Sequence, residues 1–256
     1  MKIKAHLKKA SKATYKSTAK TTVKILQTKI GGKQLFINKY TKKVPVYKKV
    51  AYKVESIALT GHTAHVRMHE YKRWFQKNYP SAKLLKEQLK QQRTFKHKPL
   101  ISILVPTYNT DPEYLQECIE SVLAQSYENW ELCIADDSST DKRVRSVVKQ
   151  YSATDKRIKY TFRKINGHIC EATNSALELA SGAYIALLDH DDIIWPNALF
   201  EVVKVINVHK DAKFIYTDED KIQEDGKHAD PFFKPDWSPE FLRSINYITH
   251  FSIIDR

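Results

Sequence analysis

The chain has 256 residues, a formal net charge of +14 and three cysteines. That length can bury a substantial core in one large domain, or in one domain with an appendage. Three scattered cysteines exclude a disulfide framework and a paired-cysteine metal knuckle, and the charge is split: residues 1–100 carry a net of +23 and residues 101–256 a net of −9.

Residues 1–60 read as a Lys-rich N-terminal extension with Thr, Ala and Tyr interleaved, "IGGK" at Ile30–Lys33 and no internal repeat. No apolar run approaches the ~20 residues that span a bilayer. The charged start also lacks the apolar core and small-residue cleavage site of a signal peptide, which predicts a cytoplasmic protein. A basic arm of this kind either solubilises the chain or meets an anionic partner, nucleic acid or the lipid of the inner face of the plasma membrane. No recognised nucleic-acid-binding motif accompanies the charge, so nucleic acid is the weaker partner and peripheral membrane contact the stronger.

Residues 61–98 form a helical lead-in. A helical pattern runs from about His69 to Pro80, where Ser81 can cap a second helix reaching Gln92, and Pro99 closes the segment. His62, His65 and His69 share a helical face, but the order is not HExxH and no further ligand is evident. A polar helix face is the simpler reading.

From Pro99 to Arg256 strand and helix alternate. "LISILVP" (Leu100–Pro106) is a short apolar run, as in a strand covered on both faces. Asp111 as cap and Pro112 at the first helical position open a helix with Leu115, Cys118, Ile119, Val122 and Leu123 on one face. "WELCIADD" (Trp130–Asp137) is the second strand, followed by a helix with Val144, Val147, Val148 and Tyr151 inward. "IKYTFR" (Ile158–Arg163) is the third strand, and "CEATNSALELASG" a helix ended by Gly182. "AYIALLD" is the fourth strand, Pro196 begins a helix, and "KFIYTDED" is the fifth strand. Each cysteine falls inside one of these elements, so buried free thiols are expected. The alternation predicts an α/β fold, a mostly parallel sheet with helices on both faces. Ligands of such sheets bind beyond the carboxyl ends of the strands.

Those ends are acidic: Asp136-Asp137, Asp189-His190-Asp191-Asp192 and Asp218-Glu219-Asp220 are expected to converge on one rim. No GxGxxG follows the first strand and no GxxxxGK[ST] occurs, so neither the dinucleotide fingerprint nor the P-loop is present. A rim without a Gly-rich cradle can hold phosphate through a divalent cation, Mg²⁺ or Mn²⁺, bridged by carboxylates to diphosphate oxygens. The cation would also offset the repulsion among clustered acids. Asp191-Asp192 alone is equally consistent with a solvated loop capping the next helix; the matching acidic pair on a second strand end favours the site. His190 reads as an exposed spacer.

The stretches "ISILVPTYN", "ESVLAQSYENWELCIADDSSTD", "INGHICEATNSALELASGAYIALLDHDD" and "YTDEDKI…DPFFKPDWSPEFLRSINYITH" together resemble glycosyltransferase family 2, over about residues 69–256. The nearest branch is that of bacterial polysaccharide-assembly enzymes, including rhamnosyltransferases. The resemblance implies a GT-A fold and a nucleotide-diphosphate sugar donor, UDP- or dTDP-linked. It implies a glycan or lipid-linked acceptor of the cell envelope, with transfer of a hexosyl or rhamnosyl group by metal-assisted inverting displacement. Carried over residue by residue, Pro106, Thr107 and Tyr108 line the nucleotide pocket, and Asp136 and Asp137 contact ribose and base, Asp137 being first choice for the base. Asn166, Gly167 and Asn174 flank the nucleotide and donor sugar. Asp189 and Asp191 match the D-x-D motif, Asp191 for the metal and Asp189 for a sugar or ribose hydroxyl as well as the metal. Asp192 assists or caps.

In the family the catalytic base lies in an acidic motif well downstream of the D-x-D, which places it beyond Arg256. Asp218, Glu219 and Asp220 match an earlier, donor-side segment, so no base is assigned and the chain is expected to lack the C-terminal part of the fold. It would then be a donor-binding part, with or without turnover of its own. A sugar nucleotidylyltransferase shares the nucleotide-binding sheet and the metal, but would carry a Gly-rich signature where this chain has "VPTYN".

Overall fold

The computed structural model describes residues 24–26, 62–223 and 225–256. Most of the basic extension, including Ile30–Lys33, and the side chains of His62 and His65 lie outside the described residues; His69 is exposed. The described residues divide into two compact units.

The smaller unit joins helix α1 (His62–Asn78) to a hairpin of β7 (Glu219–Ile222) and β8 (His228–Phe232). Its contacts are aromatic: Trp74 meets Phe233 edge-on at 5.0 Å, and Phe75 stacks on His228 at 4.1 Å. Asp220 accepts hydrogen bonds from the Tyr71 hydroxyl and pairs with His228 Nδ1, the latter at 2.8 Å. The compact units divide the chain at Tyr79 and again around residues 219–233.

The larger unit is built on a seven-stranded sheet. Its strands are β1 (Lys24–Leu26), β2 (Ile101–Thr107), β3 (Trp130–Asp136), β4 (Ile158–Phe162), β5 (Tyr184–Leu187), β6 (Phe214–Tyr216) and β9 (Ser252–Asp255), in the order β1-β6-β9-β5-β2-β3-β4. The block β5-β2-β3-β4 is parallel. β9 is inserted antiparallel between β5 and β6, and β1 runs antiparallel along β6.

Helices cover both faces. On one, Ile101, Ile103 and Val105 of β2 and Leu132 and Ile134 of β3 pack against α3 (Pro112–Leu123), α4 (Lys142–Thr154) and α6 (Ala198–Val208). On the other, the alternate residues Leu104, Cys133 and Ala135 meet Ala176 and Ala180 at α5 (His168–Leu179). The period of two along each strand sends successive side chains to opposite faces, so a strand buried on both is apolar on both. Its buried polar residues are paired, as Ser102 Oγ donates to Glu131 at 2.6 Å.

The helix starts follow their caps. Ser81 accepts the Leu84 amide to open α2 (Ala82–Gln91), and Asp111 accepts the Glu113 amide ahead of Pro112. Asp141, not the preceding serines, caps α4. α2 belongs to the sheet unit: buried Gln88 accepts from Ser126 Oγ at 2.8 Å, and Gln92 accepts from the Glu128 amide at 2.9 Å.

Three expectations differ. The run "KFIYTDED" does not stay one strand, because β6 stops at Tyr216 and Glu219 opens a hairpin in the other unit. Asp220 is therefore taken up by Tyr71 and His228. Cys170 is exposed on α5, whereas Cys118 and Cys133 are buried.

Candidate functional site

The parallel block brings four strand ends to one rim. Thr107 pairs with Asp136 in register, and the Asp137 amide donates to the Thr107 carbonyl at 2.8 Å. The Arg163 amide, just past β4, donates to the Asp136 carbonyl, and the Leu188 amide, just past β5, donates to the Leu104 carbonyl. The antiparallel β9 adds a fifth approach. Ser252 lies opposite Leu187, so the residues leading into β9 arrive where β5 leaves.

At the β2 end Thr107 is buried, its hydroxyl 2.7 Å from that of Thr110, and Tyr108 presents a 46% exposed ring beside half-buried Pro106. Asn109, with φ 49°, accepts the Thr140 amide at 2.8 Å and donates its own amide to Ser139 Oγ at 2.8 Å. The left-handed backbone at Asn109 is one that Asn tolerates better than most residues, and it ties the first rim loop to the second.

Asp136 and Asp137 are both buried, and each has its own arginine. Arg145 Nε stands 2.8 Å from Asp136, and Arg163 Nε stands 2.7 Å from Asp137. Both oxygens of Asp137 also accept the Gly167 amide, at 3.0 and 3.1 Å, and Asn166 Nδ2 donates to the Asp137 carbonyl at 3.2 Å. Arg163 further donates to Ser175 Oγ at 2.6 Å and to the Glu171 carbonyl at 3.1 Å. The loop after β4 is thereby clamped to the end of β3. Gly167 is required there, since a Cβ would sit 2.6 Å from Arg163 Nη2 and 2.8 Å from Glu171 Cβ. Asn174 is exposed on α5.

At the β5 end, Asp189 Oδ2 is 3.0 Å and Asp192 Oδ2 4.0 Å from His250 Nε2. One ligand atom from each of Asp189, Asp192 and His250 can be chosen so that all lie within 4.8 Å of one another, the one such group of three among the described residues. Two carboxylate oxygens and an imidazole nitrogen suit a divalent cation of the Mn²⁺ kind. Asp191 is not in this group. Its carboxylate lies 3.6 Å from Nδ1 of half-buried His190, which is thus closer to a neighbouring acid than strand alternation predicts. Below the cluster, the Cys118 thiol donates to the Asp189 carbonyl at 3.5 Å. Burial raises the pKa of that thiol, and the charges of Asp192, Asp191 and Asp189 raise it further, so Cys118 remains a neutral thiol.

The rim thus gathers Pro106, Thr107, Tyr108, Asp136, Asp137, Asn166 and Gly167 on one side and Asp189, Asp191 and Asp192 on another. Arg145, Arg163 and His250 were not anticipated. His250 lies 61 residues after Asp189, at the end of the stretch "DPFFKPDWSPEFLRSINYITH", and only the strand topology brings the two together. The arginines follow acids by nine and 26 residues, spacings that carry no local signal.

A parallel block ending in an acidic rim, with one antiparallel strand returning to it, defines the class as an α/β protein with a mixed sheet. The profile of the family described as Glycosyl transferase family 2 matches residues 102–255, and the chain belongs to that family. Among curated relatives, "Uncharacterized protein y4gI" of Sinorhizobium fredii is 58% identical over 64% of this chain and 18% of its own length. "O-antigen biosynthesis protein RfbC" of Myxococcus xanthus is 34% identical over 62% of this chain and 12% of its own. The chain therefore spans less than a fifth of either protein. The crystal structure of S. aureus TarS 1–349 in complex with UDP-GlcNAc aligns at a TM-score of 0.40 and 29% identity, over 43% of this chain and 32% of that one. Among the described residues no helix is long and apolar enough to cross a membrane.

Proposed function

We propose that the chain binds the nucleotide-diphosphate sugar of a glycosyltransferase that builds cell-envelope polysaccharide, with Mg²⁺ or Mn²⁺ held by Asp189, Asp192 and His250. The observation that carries this reading is the convergence of those three side chains at the carboxyl rim of the sheet. Family membership and the O-antigen role in the name of the M. xanthus relative support polysaccharide assembly. The donor is a UDP- or dTDP-sugar and the acceptor a glycan or lipid-linked hydroxyl.

The chain's own groups divide the work. Tyr108 offers an exposed ring face for a base to stack on. Asp137, aimed by Arg163, reads the base edge, and Asp136 with Arg145 forms the wall behind it. Asn166 and Gly167 close over the donor from the loop after β4, with Asn174 beside them on α5. Asp189, next to the diphosphate, also reaches a ribose or sugar hydroxyl, and Asp191 extends the acidic edge. A bound divalent cation would neutralise the diphosphate as it departs from the anomeric carbon. The acceptor hydroxyl attacks from the opposite face with its proton taken by a carboxylate base, which inverts the centre. The net charge of +23 on residues 1–100 supports peripheral attachment to an anionic inner leaflet.

Calorimetric titration with UDP- and dTDP-sugars, with and without Mn²⁺, tests the donor site. Binding should require the metal and be lost in Asp189→Ala. Failure of both donor series to bind would overturn the reading.

A further inference from the structure

Lys234 is 2% exposed, an unusual place for an ammonium group. Its Nζ donates to the main-chain carbonyls of Thr249 and His250, the latter at 2.8 Å, and its own amide donates to Asp218 Oδ1 at 2.7 Å. A buried cation is costly unless its donors are met, and here two consecutive carbonyls accept from it. Consecutive carbonyls do not point the same way along an extended strand. At this turn the backbone is not extended: His250 has φ 51°, in the left-handed region that residues with a Cβ rarely adopt. The next residue is pinned separately, with Thr217 donating its amide to the Phe251 carbonyl at 3.2 Å and its hydroxyl accepting the Phe251 amide at 3.1 Å. The outcome of this bracing is the direction of one side chain, His250, whose Nε2 lies 3.0 Å from Asp189 Oδ2.

We propose that Lys234 is a positioning residue for the metal site: its buried ammonium holds the Thr249–His250 carbonyls in the turn that aims the His250 imidazole at Asp189 and Asp192. Lys234 does not touch the cation or the donor and acts through His250. The consequence for metal binding rests on the proposed metal role of the three ligands; the aiming of the imidazole does not.

The test titrates Mn²⁺ alone into the full chain, followed by electron paramagnetic resonance, with the His250 imidazole NMR signals read in parallel. Lys234→Met should weaken Mn²⁺ binding about 10- to 100-fold, as loss of a group orienting a metal ligand does, and should shift the His250 signals before any metal is added. In a His250→Ala background the same change should weaken Mn²⁺ no further. Unchanged His250 signals in Lys234→Met overturn the proposal, as do losses that multiply in the double variant. If the wild-type chain binds no Mn²⁺, the metal reading fails and the His250 signals alone decide the positioning role. Should Lys234→Met not fold by circular dichroism, Lys234→Gln, which keeps a donor but no charge, is read in the same way.

Discussion

Replacing Asp137 with Asn probes the clamp on which one side of the rim is built. Asp137 is 2% exposed and accepts Arg163 Nε at 2.7 Å and the Gly167 amide at 3.0 and 3.1 Å. Asn keeps the shape and one acceptor oxygen, so the Gly167 bond can persist. Arg163 Nε and the Gly167 amide both meet Oδ1, so the Asn oxygen takes that place. Its amide nitrogen takes the Oδ2 place, 3.1 Å from the Gly167 amide, while the guanidinium loses its countercharge. A hydrogen bond between charged groups contributes about 1.5–3 kcal/mol, and removing one partner of a fully buried ion pair costs about 3–5 kcal/mol. The Arg163 side chain is 21% exposed and keeps Ser175 and the Glu171 carbonyl, so water and those bonds relieve part of the loss. The expected destabilisation is about 2 kcal/mol, at the lower end of these ranges. Urea unfolding of the full chain measures it, with the slope unchanged if only stability moves. In a double-mutant cycle, Asp137→Asn with Arg163→Met should be no more than about 0.5 kcal/mol worse than the more damaging single change. A single-variant loss below about 0.5 kcal/mol, or two losses that simply add, would refute the clamp.

Two further outcomes follow from the packing at the amino ends of the strands, opposite the rim. Glu131 is buried, and burial opposes its ionisation, but bonds from Lys159, Ser102 and Ser181 outweigh this and bring its pKa from 4.5 down to about 2. Because the folded value is the lower, the stabilisation is fully present above pH 4.5 and disappears as pH falls through about 2. It amounts to at most about 3 kcal/mol. Glu131→Gln should flatten the loss of stability in that window, and an unaltered acid profile would contradict the network. Gly182→Ala would place a Cβ 2.5 Å from the Leu100 carbonyl oxygen and 2.6 Å from Ser102 Oγ. Backbone cannot yield there cheaply, so a loss of about 1–3 kcal/mol is expected. Thermal denaturation would show it, and an unshifted midpoint would mean that the turn relaxes freely.

The strands and helices of residues 100–208 could be read in advance because each carries a local signature. β2 and β3 are largely apolar runs, α3 has its Asp-Pro start, and α3, α4 and α6 repeat apolar residues at helical spacing. The weaker readings failed where the deciding interaction is distant. Nothing in "KFIYTDED" announces that pairing changes partner at Thr217, since the alternatives lie in β9 and β8. β1 went unanticipated because three residues, Lys-Ile-Leu, hold no periodicity and owe their extended state to β6. Cys170 sits in a helical pattern, but the phase that exposes it is fixed by which face of α5 meets β2, β3 and β4.

The same division holds for the site. Asp136, Asp137, Asp189, Asp191 and Asp192 stand at strand ends, and a parallel α/β sheet must bring its strand ends to a common rim, so the chain alone determined that an acidic rim would exist. Which of these acids lie close enough together to share a cation emerges only in three dimensions. Spacing pairs Asp189 with Asp191, whereas geometry groups Asp189 with Asp192 and His250. The physical reason is the antiparallel strand β9, whose amino end meets the carboxyl end of β5. Ladder pairing of Leu187 with Ser252 and of Tyr184 with Asp255, far apart in sequence, decides that meeting, and no local sequence pattern encodes it.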